Sequence, residues 1–485
     1  MNIRRSGLIY IAYIISISEV ISLLLLYICP KLLKFAEGLT IHNDPEGKIT
    51  RKFFVESLLI SFAVFFSMYI IYYPGAFSPD SISQYTQAAG FVNYSDWHPA
   101  LHTLFAFTLP LKVTGGWIGS IVLFQIIIFS LALAYMAYTL AEFGNIKYAR
   151  LFLLYILINP ATLGISIYPW KDVSFSVFAM LAMTFAVRVY FSGGEWLNSA
   201  KHVIIFVLII SAATIFRHNA ILFTLPLLIA VMLYVSSWKK KFLLAAGFLL
   251  VIFVIKIPVY SSLGVESPKK RITETTGVLL TIMSNAVKET PNNLKSDVKE
   301  FVYSIAPEEI LRKYYVTGNF NSIKWRGISS DVIEQAGYAK IIYMAFRSLI
   351  ESPLASLKGF FTLTDMVYSI AGPVDWDIIP GISGNKYEIK DSGINIMQKI
   401  FWLYVKITVL LLKHVFWHIG ILTLIMFILT LAKVRDVKKL FLVIPLFTHN
   451  FGTMLLLSAH DFRFFYCTYL IAPIIYLVLL VKKGA

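Results

Sequence analysis

Between two long apolar runs, residues 74 to 99 read PGAFSPDSISQYTQAAGFVNYSDWHP and bring Asp80, Asp96 and His98 into one polar stretch. A carboxylate can take a proton from a hydroxyl, and an imidazole can share that work or hold a substrate group. The same residue types recur at three other junctions between apolar runs. Lys171 and Asp172 lie in YPWKD, Arg217 and His218 in FRHN, and His460, Asp461 and Arg463 in HDFRFFY. Lys and Arg hold phosphate by charge-assisted hydrogen bonds. Carboxylates beside such cations are what a transferase with a phosphate leaving group requires. Trp97, Trp170, Phe464 and Tyr466 alternate with these residues, which suits sugar stacking or an interfacial aromatic belt, and the belt accounts for most of them. Asp80, Asp96, His98 and His102 offer oxygen and nitrogen ligands, but no HExxH-like spacing joins them, so no metal site is assigned and a divalent ion stays open.

The elements that must position these residues are membrane helices. A chain of 485 residues that is 58% hydrophobic and 14% charged is too apolar for a soluble protein of several domains, and its mean hydropathy of +0.73 agrees. Apolar runs at about 7–29, 53–73, 116–141, 151–168, 173–191, 202–216, 219–236, 242–260, 414–432, 440–458 and 464–481 predict eleven transmembrane helices in an all-α polytopic fold. The net charge of +16 is concentrated in the membrane part and its short loops, where it marks topology and argues against nucleic acid as a partner. Cys29 and Cys467 fall near opposite membrane faces and offer no disulfide framework. Arg4 and Arg5 precede a first run too long for a signal peptide and without a cleavage site, so an uncleaved helix is expected.

Basic clusters fix the orientation. Lys239 to Lys241, Lys433 to Lys439 and Lys482 with Lys483 belong on the cytoplasmic side, as do Lys147 and Arg150. Counting from them places the Asp80 stretch and the Trp170, Arg217 and His460 junctions outside; only Arg4 and Arg5 dissent. Any one of these ions could serve locally, Lys171 with Asp172 or Asp461 with Arg463 as a surface pair and Arg217 as a headgroup anchor. Their gathering on one face points instead to a shared site.

Three domains follow: residues 1–260 as an N-terminal membrane part with a first external loop at 74–115, residues 261–413 as a helical external domain, and residues 414–485 as C-terminal membrane helices. Helical windows at 294–304, 331–349 and 354–370 are separated by Pro291, Pro307 and Pro353, and a Gly-rich stretch follows. Lys399, Lys406 and Lys413 are seven apart, which suits either an interfacial helix or the start of a longer ninth span.

In plan and in the series PGAFSPDSISQY, WHP, YPWKD, RHN and HDFRFFY, the chain from about residue 53 onward resembles the GT-C class of integral membrane glycosyltransferases. That resemblance implies a multi-pass protein of the inner (plasma) membrane with its active face on the periplasmic side. It implies a polyprenyl-phosphate-sugar donor and a glycan or lipid acceptor of the cell envelope. Asp80, as the first-loop acid, would be the general base of an inverting transfer. Lys171, Arg217 and Arg463, assisted by His218 and His460, would hold the departing lipid phosphate. Many members carry two adjacent acids in this loop, whereas Asp80 stands between Pro79 and Ser81, so Asp96 stays open as the base and the case for a divalent ion weakens. Asp80 is preferred because Asp96 adjoins Trp97, His98 and Pro99 and is better placed to shape or cap the next helix. A polymerase of lipid-linked repeat units and a lipid-linked-sugar flippase or transporter are the competing functions; one-sided polar residues and the lack of related halves disfavour the transporter.

Overall fold

The computed structural model describes residues 30–39, 41, 51–268, 271–371, 374, 378–433 and 437–481. The expected first span at 7–29, with Arg4, Arg5 and Cys29, lies outside the described residues, as do Arg435 within the 433–439 cluster and Lys482 with Lys483. Helix makes up 76% of the structure, and no strand occurs among the described residues, so the all-α class holds.

Among the described residues, five helices are long and apolar enough to cross a membrane: Arg51–Ile71, Gly119–Phe143, Lys171–Phe191, Trp238–Ser262 and Phe462–Leu480. A sixth crossing results if Ile146–Ile158 and Pro160–Ser166, bent by 65° at Asn159, count as one. Proline at 160 has no N–H to donate, and the Asn159 side chain instead accepts from the Ala161 N–H at 2.9 Å, which caps a new helix in a new direction. The runs expected at 202–216, 219–236 and 414–432 form the shorter helices Ala200–Phe216, Ile221–Tyr234 and Ile419–Ala432. The first matches its run and ends at the polar break Arg217 to Asn219, whereas the other two are shorter than theirs, the last because its helix begins only after His418.

Lys171–Phe191 is the axis of the bundle. Its most apolar stretch is 94% buried, against 11% for Trp238–Ser262, which therefore stands at the periphery. Small residues at Ser176, Ala179, Ala182 and Ala186 are fully buried and let the neighbouring helices come close.

Within residues 261–413 a separate core forms around Val298, Phe301, Ile305, Leu311, Ile333 and Ile341, while Leu363, Val367, Phe401 and Val405 pack into the core of the bundle. The expected windows appear as Ser296–Ile305, Ser330–Glu351 and Pro353–Thr364, joined by Gly277–Glu289, which the sequence patterning had not marked. Asn395–Leu411 ends before a break at Leu412 to His418, so it is a helix separate from Ile419–Ala432 with Lys399 and Lys406 exposed.

Backbone hydrogen bonds tie this unit to the end of the bundle. Asp96 N–H donates to Glu266 O at 2.8 Å, Phe77 N–H to Gly381 O at 3.0 Å, and Asn321 N–H to Ser458 O at 3.1 Å. Gly277 sits so close to the last helices that a Cβ there would lie 2.4 Å from Ser458 Cα. These ties close a roof over the junctions that carry the ionisable residues.

Candidate active site

Under the roof lies a cavity of about 870 Å³ walled by the bundle end on one side and the 261–413 unit on the other. Asp80 enters it from the first turn of Pro79–Ala88. Ser78 caps that helix by accepting from Ser81 N–H at 3.3 Å, and Pro79 supplies the fixed φ of its first position. The Trp170 indole donates to the same Ser78 hydroxyl at 2.7 Å, so the cap is anchored to the start of the axial helix.

Arg463 is the partner of Asp80, its Nη1 donating to Asp80 Oδ2 at 3.0 Å. Arg463 Nε also lies 2.8 Å from Asp461 Oδ2, an ion pair whose angle falls outside hydrogen-bond geometry, and the guanidinium packs 5.0 Å over the Trp170 ring. The second Asp80 oxygen, Oδ1, is 4.0 Å from His98 Nε2. His98 is 4% exposed and its Nδ1 is 3.3 Å from Lys171 Nζ. An ammonium has only donors, so Nδ1 must accept and the His98 proton sits on Nε2, facing Asp80.

The electrostatics follow from this arrangement. Burial would raise the Asp80 carboxyl, but the Arg463 guanidinium first, then His98 and Lys171, overcome it and hold Asp80 below the usual carboxylate range. Burial, reinforced by the Lys171 charge, pushes His98 down to about 3, so its ring is neutral. His218 is lowered chiefly by burial and then by Lys171, and its Nε2 is 2.9 Å from the Asp96 carbonyl oxygen.

Asp96 plays a different part. Its Oδ1 accepts from Ala100 N–H at 3.0 Å, capping the next helix, while Oδ2 pairs with Lys256 Nζ at 2.8 Å. Both oxygens are engaged, whereas the hydrogen bond of Asp80 is on Oδ2 and its Oδ1, in the same cavity-lining side chain, has only His98 Nε2 at 4.0 Å.

Arg217, Asp461 and Arg463 also line the cavity, as do Lys171, His98 and His218. Asp172 and His460 do not. Asp172 is 1% exposed and sits behind Arg217, 3.1 Å from its Nε, as a buried counter-ion. His460 Nε2 is 2.6 Å from Asp365 Oδ1, a contact between the last junction and the turn that follows Pro353–Thr364. Neither side chain is brought to the cavity with the other expected residues: the apolar packing of the axial helix turns Asp172 toward Arg217, and His460 is held by Asp365. Tyr466 is fully buried, while Trp97 and Phe464 face the cavity.

The donor set does not fit a metal ion. His102 is fully buried between Gln84 Oε1 at 2.6 Å and Ser174 Oγ at 3.0 Å, Asp96 is spent on Lys256 and Ala100, and no group of three or more His, Cys, Asp or Glu converges among the described residues.

Sequence reasoning missed Lys256 on the bundle side and the whole of the opposite wall. Lys256, Arg271, Glu274, Lys324, Trp325 and Tyr338 all line the cavity. Lys256 alone had a signal, as a cation inside an apolar run. Lys324 pairs with Glu274 at 2.5 Å, and the Tyr338 hydroxyl meets Thr275 Oγ1 at 2.9 Å. Lys171 has no carboxylate within ion-pair distance among the described residues, so two of its three N–H donors are left for a ligand.

No known protein family matches the chain, and neither a curated protein nor a solved structure is similar to it.

Proposed function

We propose that the protein is a multi-pass membrane glycosyltransferase of the GT-C plan. In this reading the eleven apolar runs cross the inner membrane, the cavity faces the periplasm, and a sugar passes from a polyprenyl-phosphate donor to a cell-envelope glycan or lipid. One observation carries the proposal: the Asp80 carboxylate shares a cavity with Lys171, Arg217 and Arg463.

The donor phosphate would bind at Lys171, where positive charge is least satisfied, and beside Arg463, which it would share with Asp80 and Asp461, with Arg217 held in place by Asp172 behind it. Arg463 is the hinge of the chemistry. A bound phosphate competes with Asp80 for the guanidinium and neutralises part of its charge, which weakens the influence that keeps Asp80 acidic. The base thereby strengthens when the donor arrives. An acceptor hydroxyl gives its proton to Asp80 Oδ1 while its oxygen attacks the anomeric carbon from the face opposite the phosphate. The bond from carbon to phosphate oxygen breaks, the electron pair leaves with polyprenyl phosphate, and the configuration inverts. His98, neutral and with its Nε2–H toward Asp80, steadies the carboxylate without competing for the proton.

The test is purified protein in liposomes with a radiolabelled polyprenyl-phosphate sugar and cell-envelope acceptor lipids. Release of polyprenyl phosphate coupled to labelled acceptor supports the reading. Joining of lipid-pyrophosphate repeat units would replace it with the polymerase. Movement of the donor across the bilayer without cleavage would replace it with the flippase.

A further inference from the structure

The cavity-facing unit carries a second feature that the transferase reading does not use. Beyond the break at Gly337, whose φ of 67° and ψ of 170° are non-helical, the Ser330–Glu351 helix turns an apolar side chain outward at every turn. Ile342 is 54% exposed, Phe346 59% and Ile350 62%. After Pro353 the row continues on Pro353–Thr364 with Leu354 at 65% and Phe361 at 53%. Spacing of three or four residues puts such side chains on one face of a helix.

The other face of both helices packs against Gly277–Glu289. Ile341, Ala345 and Ser348 are buried from the first helix, Ala355, Ser356 and Gly359 from the second. Gly359 is so close that a Cβ would lie 2.7 Å from Asn285 Cβ. Of the charges between Tyr338 and Phe361, Arg347 and Glu351 are drawn to that inner side, while Lys340 and Lys358 stay exposed with their amines reaching toward it. Lys340 lies over the Phe301 ring, Arg347 pairs with Asp297 at 2.8 Å and Glu351 at 2.6 Å, and Lys358 with Glu289 at 2.8 Å. Lys358, 58% exposed between Leu354 and Phe361, is the one charge on the outer stripe of the second helix, its stem along the face and its amine turned to Glu289, and an exposed apolar face of this kind marks a contact surface.

We infer that the Ser330–Glu351 and Pro353–Thr364 helices lie in the membrane surface, with the row from Ile342 to Phe361 seated in the acyl layer of the bilayer. Lipid is favoured over a protein partner by continuity. The chain leaving Phe361 runs through Asp365–Val367 onto the start of the apolar helix Ile419–Ala432, and a Cβ at Gly420 would lie 2.1 Å from Ser369 O. At its other end Tyr338 lines the cavity that the bundle helices floor. Both ends of the row thus sit at one rim of the apolar bundle, as a surface helix requires. Tyrosines 338 and 368 stand half-exposed at the two ends, the aromatic placement of a membrane interface. One consequence is positional: the cavity mouth beside Tyr338 lies at headgroup depth, where a lipid-borne phosphate travels.

Single cysteines at Ile350 and Leu354, and at Glu300 as an exposed control on Ser296–Ile305, carry a nitroxide in a Cys29→Ser, Cys467→Ala background. The full chain is reconstituted in phosphatidylglycerol and phosphatidylethanolamine liposomes after gel filtration confirms the elution of the unlabelled protein. Dissolved oxygen should relax the labels at Ile350 and Leu354 more than a water-soluble nickel chelate does, with the order reversed at Glu300. Nickel dominance at both stripe positions would place the face in water and overturn the inference. Access by neither relaxant would also overturn it, because a second copy or another segment of the chain then covers the row. No turnover is measured, so the outcome is independent of the transferase chemistry.

Discussion

Arg463 Nη1 lies 3.0 Å from Asp80 Oδ2, joining the first turn after the first described apolar helix to the junction before the last. The contact makes the acidity of the candidate base depend on a cation that a phosphate would claim. Asp80→Asn keeps the shape and the Arg463 contact through the amide oxygen but removes the proton acceptor. Transfer measured as release of labelled polyprenyl phosphate should fall about 10²- to 10⁴-fold, the usual contribution of a general base. Gel filtration and thermal unfolding should be little changed.

The pH dependence carries a sign. A carboxylate whose value is lowered in the folded protein is ionised above that value and gains its proton only as pH falls through it. The acid limb of kcat/KM should therefore lie below the ordinary carboxylate value of about 4. Arg463→Gln should move the limb up, and Lys171→Met should move it up by less, since Arg463 lowers Asp80 more strongly than Lys171 does. His98, at about 3, should add no limb near the ordinary imidazole value of about 6.5. A limb centred there in the unaltered protein would contradict the neutral His98 described above.

Asp172 and Arg217 test what is structural. With side chains 1% and 7% exposed, they form a pair whose members are both out of water. Removing one leaves an unpaired buried charge, so Asp172→Asn should cost about 3–5 kcal/mol in unfolding free energy. Combining it with Arg217→Met should return part of that loss, and a double-mutant cycle on unfolding in detergent measures the coupling. Donor affinity should not return in the double variant, because the cavity has lost a cation.

How much of this was legible depends on what each residue needed from the fold. Asp80, Lys171, Arg217 and Arg463 stood out because charges interrupting apolar helices are costly and must have a reason. Asp172 carried the same signal for a different reason, as the counter-ion behind Arg217, and sequence cannot tell a lining charge from one turned inward by a single helical position. His460 drew attention from its neighbours Asp461 and Arg463, yet its partner Asp365 is 95 residues away in the chain. The opposite wall was hidden for a similar reason. Arg271, Lys324, Trp325 and Tyr338 lie in a unit of ordinary polar composition, and only its stitching to Asp96, Phe77 and Ser458 brings them over the site. The break at Arg217 to Asn219 was legible, whereas a helix length was misread at 414–432, where His418 interrupts the apolar average and the helix begins only at Ile419.

Asp96 provides the remaining discrimination. It was the competing base, and its two oxygens are committed, one to the Ala100 N–H and one to Lys256. Asp96→Ala removes a helix cap, at a cost of about 1 kcal/mol, and leaves Lys256 without its carboxylate. Melting should move down, and the donor KM should change as the freed ammonium enters the cavity. The chemical step should persist with its acid limb where Asp80 sets it. If Asp96→Ala instead abolishes single-turnover transfer while Asp80→Asn retains it, the roles are exchanged, and the base is the residue that caps the helix.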